Sequence, residues 1–296
     1  MTSSTSTEPL RLRIASRGSP LALWQANHVA ASLAAEVPGA DVDVEVVVVS
    51  TEGDRRRDVP LSEIGGKGIF VKEVQAAVLD GRADLAVHSA KDLPAVTPVG
   101  LVLGCVPQRA DPTDSLVGRR LDDIASGGTI ATGSQRRAVQ LSALRPDLRI
   151  VGLRGNIDTR LAKAAEHDAV VVATAALVRL GLTRHIAQTL DVDVMVPQVG
   201  QGALAIECRS DDDATRRVLA RLQDPVARRC VDAERAFLLE LGGDCDLPAG
   251  AYAVPAGADV RLRAVLADER GLVARSDEVG PDGVALGVEA ARRLRR

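Results

Sequence analysis

From Leu10 to Leu182 short β-branched or aliphatic runs alternate with helical ones, and the alternation occurs in two blocks. In the first block LRLRIAS reads as a strand. Ser19-Pro20 then provides a helix cap with proline in the first turn, and LALWQANHVAASLAAE carries helical periodicity. VDVEVVVVS is a second strand, FVKEVQAAVLD a helix stopped by Gly81, and DLAVHS a strand running into the loop AKDLP. In the second block GGTIATGS and LRIVGLRGN are strand-to-turn segments. Each is followed by a helix, QRRAVQLSAL and IDTRLAKAAE, and DAVVVATAALVRLGL adds one more strand and helix. Alternation of this kind implies α/β domains with mostly parallel sheets, whose ligands bind at the carboxyl ends of strands.

Two such blocks imply two similar domains facing each other. PQVGQGALAIECRS reads as a strand returning to the first of them, so that two crossings form a hinge around a cleft. Beyond Asp224 come a helix capped by Asp224-Pro225, a loop, the strands AYAVP, VRLRAVLA and LVARSDEV, and a final helix, which together imply an α+β third domain. The expected boundaries are 1–107 with the return segment 201–222, then 108–200, then 223–296. The start, MTSSTSTEPL, is polar and lacks a secretory pattern, and the longest apolar run, AVVVATAALV, is too short for a bilayer. A cytoplasmic protein without membrane contact is expected, with its thiols reduced.

Charge is nearly balanced, with 40 acidic and 37 basic residues, and aromatics make up 1% of the chain. A nucleic-acid binder would show a basic domain with stacking aromatics, so none is expected as a partner. The arginines instead stand beside glycine, serine and asparagine in strand-to-helix turns: ASRGSP, ATGSQRR and GLRGNID. Helix N-termini bind carboxylates and phosphates, and guanidinium pairs bidentately with carboxylate. Any one arginine could be a solvated surface charge. Five in matching contexts (Arg17, Arg136, Arg137, Arg154 and Arg160) point to a small polyanionic ligand.

IGGKGIF carries Lys67 but is not a Walker A loop, because Gly68 follows the lysine. VGQGA is a weak glycine signal, and His88-Ser89 has no support for a hydrolase triad. Lys91 and Asp92, adjacent at a strand end, read either as a surface pair or as a cation and a carboxylate at the mouth of a cleft. There the carboxylate could meet a developing cation or move a proton. Of the four cysteines, Cys105, Cys208 and Cys230 lie in apolar runs. Cys230 shares a helix face with Val226, Ala233, Phe237 and Leu241, so core packing is expected. Cys245, in GGDCDLPAG, has no such company, and it reads either as an inert loop thiol or as a functional one. No spacing suggests a metal site.

Taken in order, ASRGSPLALWQA, STEGD, GGKGIFVKE, DLAVHSAKDLP, ATGSQRR, LRGNIDTRL, AALVRLGL, VGQGALAIECR and GGDCDLPAGAY resemble the porphobilinogen deaminase (hydroxymethylbilane synthase) family over nearly the whole chain. The resemblance implies three domains, the first two like type II periplasmic binding proteins around a cleft and the third a smaller α+β domain. It implies a monomeric transferase that joins four porphobilinogen molecules head to tail with loss of ammonia. The product is hydroxymethylbilane, for tetrapyrrole biosynthesis. It also implies a covalent dipyrromethane primer on Cys245 and no metal. Asp92 and Lys91 match the catalytic pair. Lys91, Asp92, Thr132, Ser134, Arg136, Arg137, Arg154, Gly155 and Arg160 match cofactor contacts. Arg17, Ser19, Gln25, Arg154, Arg160, Arg179 and Gln201 match substrate contacts, with Lys67 and Phe70 on a mobile loop. Two features depart from the family pattern: Asp244 separates Gly242-Gly243 from the cysteine, and Gly133 stands where a serine is common.

Overall fold

The computed structural model describes residues 10–36, 42–51, 71–243 and 247–296. Its contacts divide the chain into two compact units, the first comprising Met1–His88, Thr97–Pro107 and Leu204–Asp224, the second Ser89–Val96, Gln108–Ala203 and Pro225–Arg296. The expected helix start at Ser19-Pro20 is present: helix α1 spans Pro20–Glu36, and the Ser19 hydroxyl accepts from Ala22 N at 3.3 Å.

In the first unit strands β1 (Leu10–Arg17), β2 (Val42–Val49), β3 (Leu85–Ser89), β4 (Leu101–Cys105) and β10 (Leu204–Arg209) form one sheet in the order β2-β1-β3-β10-β4. β1 is parallel to β2 and β3, and β10 is antiparallel to β4. The period of two along each strand divides its side chains between two cores. Leu12, Ile14, Leu85 and Val87 pack with Val29 and Leu33 of α1. Ala15 and Ala86, the residues directly after Ile14 and Leu85, pack with Val74, Ala77 and Val78 of α2 (Lys72–Leu79). The inner strand β3, covered on both faces, is apolar from Leu85 to Val87, whereas β1 and the edge strand β2 alternate with charged residues in their first halves.

The second unit repeats the plan. Strands β5 (Asp114–Gly118), β6 (Thr129–Ala131), β7 (Arg149–Val151), β8 (Ala169–Ala173) and β9 (Ile186–Leu190) form a sheet in the order β7-β6-β8-β5-β9. Here β6 is parallel to β7 and β8, and β5 is antiparallel to β8 and β9. With the incoming strand β5 in the place that β10 takes in the first sheet, the two orders are the same, which is the pair of like α/β domains expected. Helices α3 (Gln135–Leu144), α4 (Ile157–Ala162) and α5 (Thr174–Arg179) follow β6, β7 and β8. Along β8, Ala169 and Val171 face one core, and Val170 and Val172 the other. Helix α6 (Asp213–Leu219) belongs to the first unit, with Leu219 packed against Cys208.

The chain ends in the expected smaller α+β part. Strands β11 (Ala249–Ala256), β12 (Asp259–Ala267) and β13 (Val273–Gly280) form an antiparallel meander. One face of it is covered by α7 (Pro225–Glu240) and α8 (Gly283–Leu294). Cys230, Ala233 and Phe237 of α7 and Leu241 just after it are buried as the periodicity implied, but Val226, in the first turn of the helix, is 52% exposed. All three strands also contact α3, and Arg275 on β13 donates to Gln140 Oε1 at 3.2 Å and to Val194 O at 3.0 Å. These contacts tie the C-terminal sheet to the second α/β sheet within one unit. Among the described residues no helix is long and apolar enough to cross a membrane, and no group of acids, histidines and cysteines could hold a metal ion.

Candidate anion site of the second unit

Helix α3 begins with Ser134 as its cap, whose hydroxyl accepts from Arg137 N at 3.4 Å, while Thr132 Oγ1 accepts from Ser134 N at 3.2 Å. Both hydroxyls, read in the sequence as ligand contacts, thus hold the turn. The next residues bring two guanidinium groups to a helix N-terminus, where the dipole opposes them. The counter-charge is Asp114, the first residue of β5 and fully buried. Its Oδ2 accepts from Arg136 Nη2 at 2.8 Å, and its Oδ1 from Arg137 Nε at 3.0 Å and Nη2 at 2.7 Å. Arg136 Nη1 also donates to Val196 O at 2.6 Å, and Arg137 Nη1 to Val171 O at 3.2 Å. Burial by itself would raise the Asp114 pKa. Arg136 and Arg137 outweigh it and hold the carboxyl well below the usual carboxylate range. Arg136 and Arg137 are 1% and 4% exposed, so these two cations are largely walled in by protein.

Lys91 and Asp92 lie in a 3₁₀ turn, Ala90–Asp92, directly after β3. Asp92 is exposed, while Lys91 is partly buried. Burial pushes the Lys91 ammonium down to about 8; Arg137 and Arg160 push the same way, and Asp92 and Asp114 oppose them. Arg160 comes from α4, whose cap Asn156 accepts from Thr159 N at 2.9 Å. Its Nε donates to Gly155 O at 2.9 Å, and burial, followed by repulsion from Arg137, lowers its pKa to about 10. Gly155 sits at φ +117°, a conformation that favours glycine and turns the chain into α4. Arg154 just before it is exposed. Arg179, at the end of α5, donates to Gly202 O at 2.8 Å, and burial brings its pKa to about 10.

Lys91, Arg136, Arg137 and Arg160 therefore form a cluster with two carboxylates, Asp92 and Asp114, which among the described residues leaves two positive charges over. Arg136 Nε is, in addition, a buried donor without an acceptor among the described residues. A ligand bearing several carboxylates fits such a cluster, since each would meet a cation that burial has already stripped of water.

Gln201, read in the sequence as a substrate contact, is 1% exposed, and its side chain is committed to Asp114, Pro112 O, Thr113 O and Lys91. Asp114 itself was missed in the sequence. The signal that could have found it is the pair Arg136-Arg137, which burial in an α/β core obliges to have an acid within reach. Arg17, Ser19 and Gln25 belong to the first unit, at the end of β1 and the first turns of α1, with Gln25 buried. The first unit also holds a buried polar group of its own: Glu207 Oε2 accepts from Gln75 Nε2 at 2.8 Å and lies 3.3 Å from His88 Nε2. Cys105, Cys208 and Cys230 are buried, as expected. Lys67, Phe70 and Cys245 lie outside the described residues, as do Asp244 and Asp246.

Fold and charge together define the class: an α/β protein with two like sheets, the second carrying a cation cluster suited to a polyanion. Comparison with known proteins gives the family. Residues 12–217 match the description "Porphobilinogen deaminase, dipyromethane cofactor binding domain", and residues 228–296 match "Porphobilinogen deaminase, C-terminal domain". The porphobilinogen deaminase of Syntrophus aciditrophicus is 46% identical over 292 residues, covering 96% of this chain and 94% of that protein. That of Brevibacillus brevis is 44% identical over 289 residues, covering 95% and 93%. That of Nitratidesulfovibrio vulgaris strain Miyazaki F is 49% identical over 252 residues, covering 83% and 79%. The chain belongs to the porphobilinogen deaminase family, a family of transferases.

Proposed function

We infer that this chain joins four porphobilinogen molecules head to tail, with release of ammonia, into linear hydroxymethylbilane. The growing chain is built on a dipyrromethane primer bound by a thioether to Cys245. The observation that carries this reading is the surplus of buried positive charge around Lys91. Porphobilinogen bears an acetate and a propionate, so a primer of two units brings four carboxylates and each added unit two more. Arg160, Arg154, Lys91 and the outward side of Arg137 would hold the primer's carboxylates, with Arg179 as a further cation for the growing chain. Once bound, the primer supplies a nucleophilic pyrrole carbon for the next unit.

The chain's own residues do the rest. Asp92, exposed at the end of its turn, faces the cation left when ammonia departs from the substrate and takes the proton released as the new ring regains aromaticity. Arg136 and Asp114 are framework: their mutual neutralisation keeps Arg137 fixed, so that it meets the ligand without reorganising. Arg17, Ser19 and Gln25 of the first unit take the incoming substrate, with Lys67 and Phe70 as further contacts. Three domains divided near 107, 200 and 222, a monomer, and a cytoplasmic location complete the reading. The test is incubation of purified protein with porphobilinogen. Release of ammonia together with a linear tetrapyrrole is expected. Binding without ammonia release would contradict the enzyme and leave an anion-binding protein.

A further inference from the structure

VGQGA, the weak glycine signal of the sequence, has a structural task. Gly200 and Gly202 adopt φ values of +71° and +86°, the left-handed region. A Cβ on Gly200 would lie 2.9 Å from Ala90 Cβ and 3.1 Å from Lys91 N, and one on Gly202 would run into Ala110 O. The loop therefore passes hard against the Lys91 turn on one side and against residues 110–111 on the other, and Ala90 N donates to Ala203 O at 3.0 Å. Between the glycines stands Gln201. Its backbone carbonyl accepts from Arg109 Nε at 2.9 Å. Arg109 is gripped by the buried carboxylate of Glu234, which also accepts from Gly200 N at 2.7 Å and Ala253 N at 2.8 Å.

The side chain is as constrained as the backbone. Gln201 Nε2 lies 2.7 Å from Pro112 O, 3.1 Å from Thr113 O and 2.9 Å from Asp114 Oδ1, all acceptors. Turning the amide over would aim its oxygen at those three acceptors, so the orientation is fixed. The amide oxygen is thereby presented to Lys91 Nζ, 3.4 Å away. We propose that Gln201 is a positioning residue of the anion site: its amide, oriented by Asp114, places the Lys91 ammonium and gives it a neutral acceptor. Neutrality matters, because a carboxylate in this position would pair with Lys91 and consume the charge meant for the ligand. The groups facing Lys91 are Arg137, Arg160, Asp92 and Asp114, two of each sign, so burial is the main influence against its charge, and a neutral acceptor supports the ammonium without pairing with it.

This inference rests on Lys91 belonging to the anion site, and its test does not depend on turnover. The sequence holds only four lysines, Lys67, Lys72, Lys91 and Lys163, so protein labelled at lysine Cε with carbon-13 gives four resonances to follow against pH. Lys91 is assigned by its loss in Lys91→Arg. In Gln201→Met, which keeps length and removes the acceptor, the Lys91 midpoint is expected to fall by about one pH unit while Lys72 and Lys163 stay in place. An unmoved Lys91 midpoint in folded Gln201→Met overturns the proposal. If Gln201→Met does not fold, the converse variant decides. In Lys91→Met the side-chain amide signals of Gln201 should shift, and unchanged signals overturn the proposal. A shifted midpoint in protein that releases no ammonia from porphobilinogen would leave this inference standing and count against the enzymatic reading alone.

Discussion

At the start of α3, Arg136 and Arg137 are buried against Asp114. At the start of α4, Arg154 is exposed and Arg160, partly buried, donates to the neutral Gly155 O. The two segments, ATGSQRR and GLRGNIDTR, follow the same local plan of strand end, small residues and arginine at a helix start. Their electrostatic ends are opposite. The α3 pair carries its own counter-ion, which makes Arg136 framework and holds Arg137 in place, whereas Arg160 of the α4 segment donates to a neutral carbonyl. The same sequence plan thus gives an ion-paired guanidinium where the fold supplies a buried carboxylate and a carbonyl-bound one where it does not.

The comparison is broken most severely at Asp114. Asp114→Asn leaves two buried guanidinium groups with no anion, and loss of one partner from a buried network costs about 3–5 kcal/mol. Denaturant unfolding of Asp114→Asn should show a destabilisation of that size, and a near-native midpoint would mean that the α3 arginines are not framework. Asp92→Asn should leave stability and binding intact while turnover falls about 100-fold, the scale of a lost general acid–base or electrostatic contribution. Urea unfolding beside a deaminase assay separates the two effects. Arg160→Lys keeps the charge but loses the fork, and should raise KM about tenfold with unfolding unchanged. A comparable loss of stability would instead place Arg160 with the α3 pair.

The smallest effect is on pH. Burial lowers the Lys91 pKa to about 8 from its ordinary value of 10.5. Lys91 is therefore charged below about pH 8 and loses its proton as pH rises through that value. Affinity for a carboxylate ligand should weaken across the same interval, and Lys91→Met should remove that step. Since the unfolded chain holds the proton up to its higher pKa, the free protein should gain stability between about pH 8 and 10.5 from this group. A calorimetric titration of wild type and Lys91→Met at several pH values checks the sign.

Much of this was legible in the sequence, for reasons that are local. A strand buried on both faces must be aliphatic throughout, so AVVVA stood out, while VDVEVVVV, at a sheet edge, stood out by its β-branched residues. Ser19-Pro20, Gly81 and Asn156 mark helix ends through their own backbone preferences. The contacts that turn motifs into a site were less legible because the fold makes them across long sequence separations. Asp114 lies 22 residues from Arg136, and Gln201 lies 110 residues from Lys91. Nothing in VGQGA says which way its amide faces; that follows from three acceptors contributed by residues 112–114. Thr132 and Ser134 were legible as hydroxyls near a helix start, but their use as turn and cap became visible only with the geometry.

The central claim is that the cation cluster serves a primer fixed covalently to the chain through Cys245. Intact-mass spectrometry of protein made in cells that supply porphobilinogen tests it directly, with Cys245→Ala beside the wild type and Cys105→Ala, Cys208→Ala and Cys230→Ala as controls. The account predicts a wild-type mass above that of the sequence by two pyrrole units, retained in the three controls and absent from Cys245→Ala. A wild-type mass equal to that of the bare sequence, or an adduct that survives in Cys245→Ala, would contradict it.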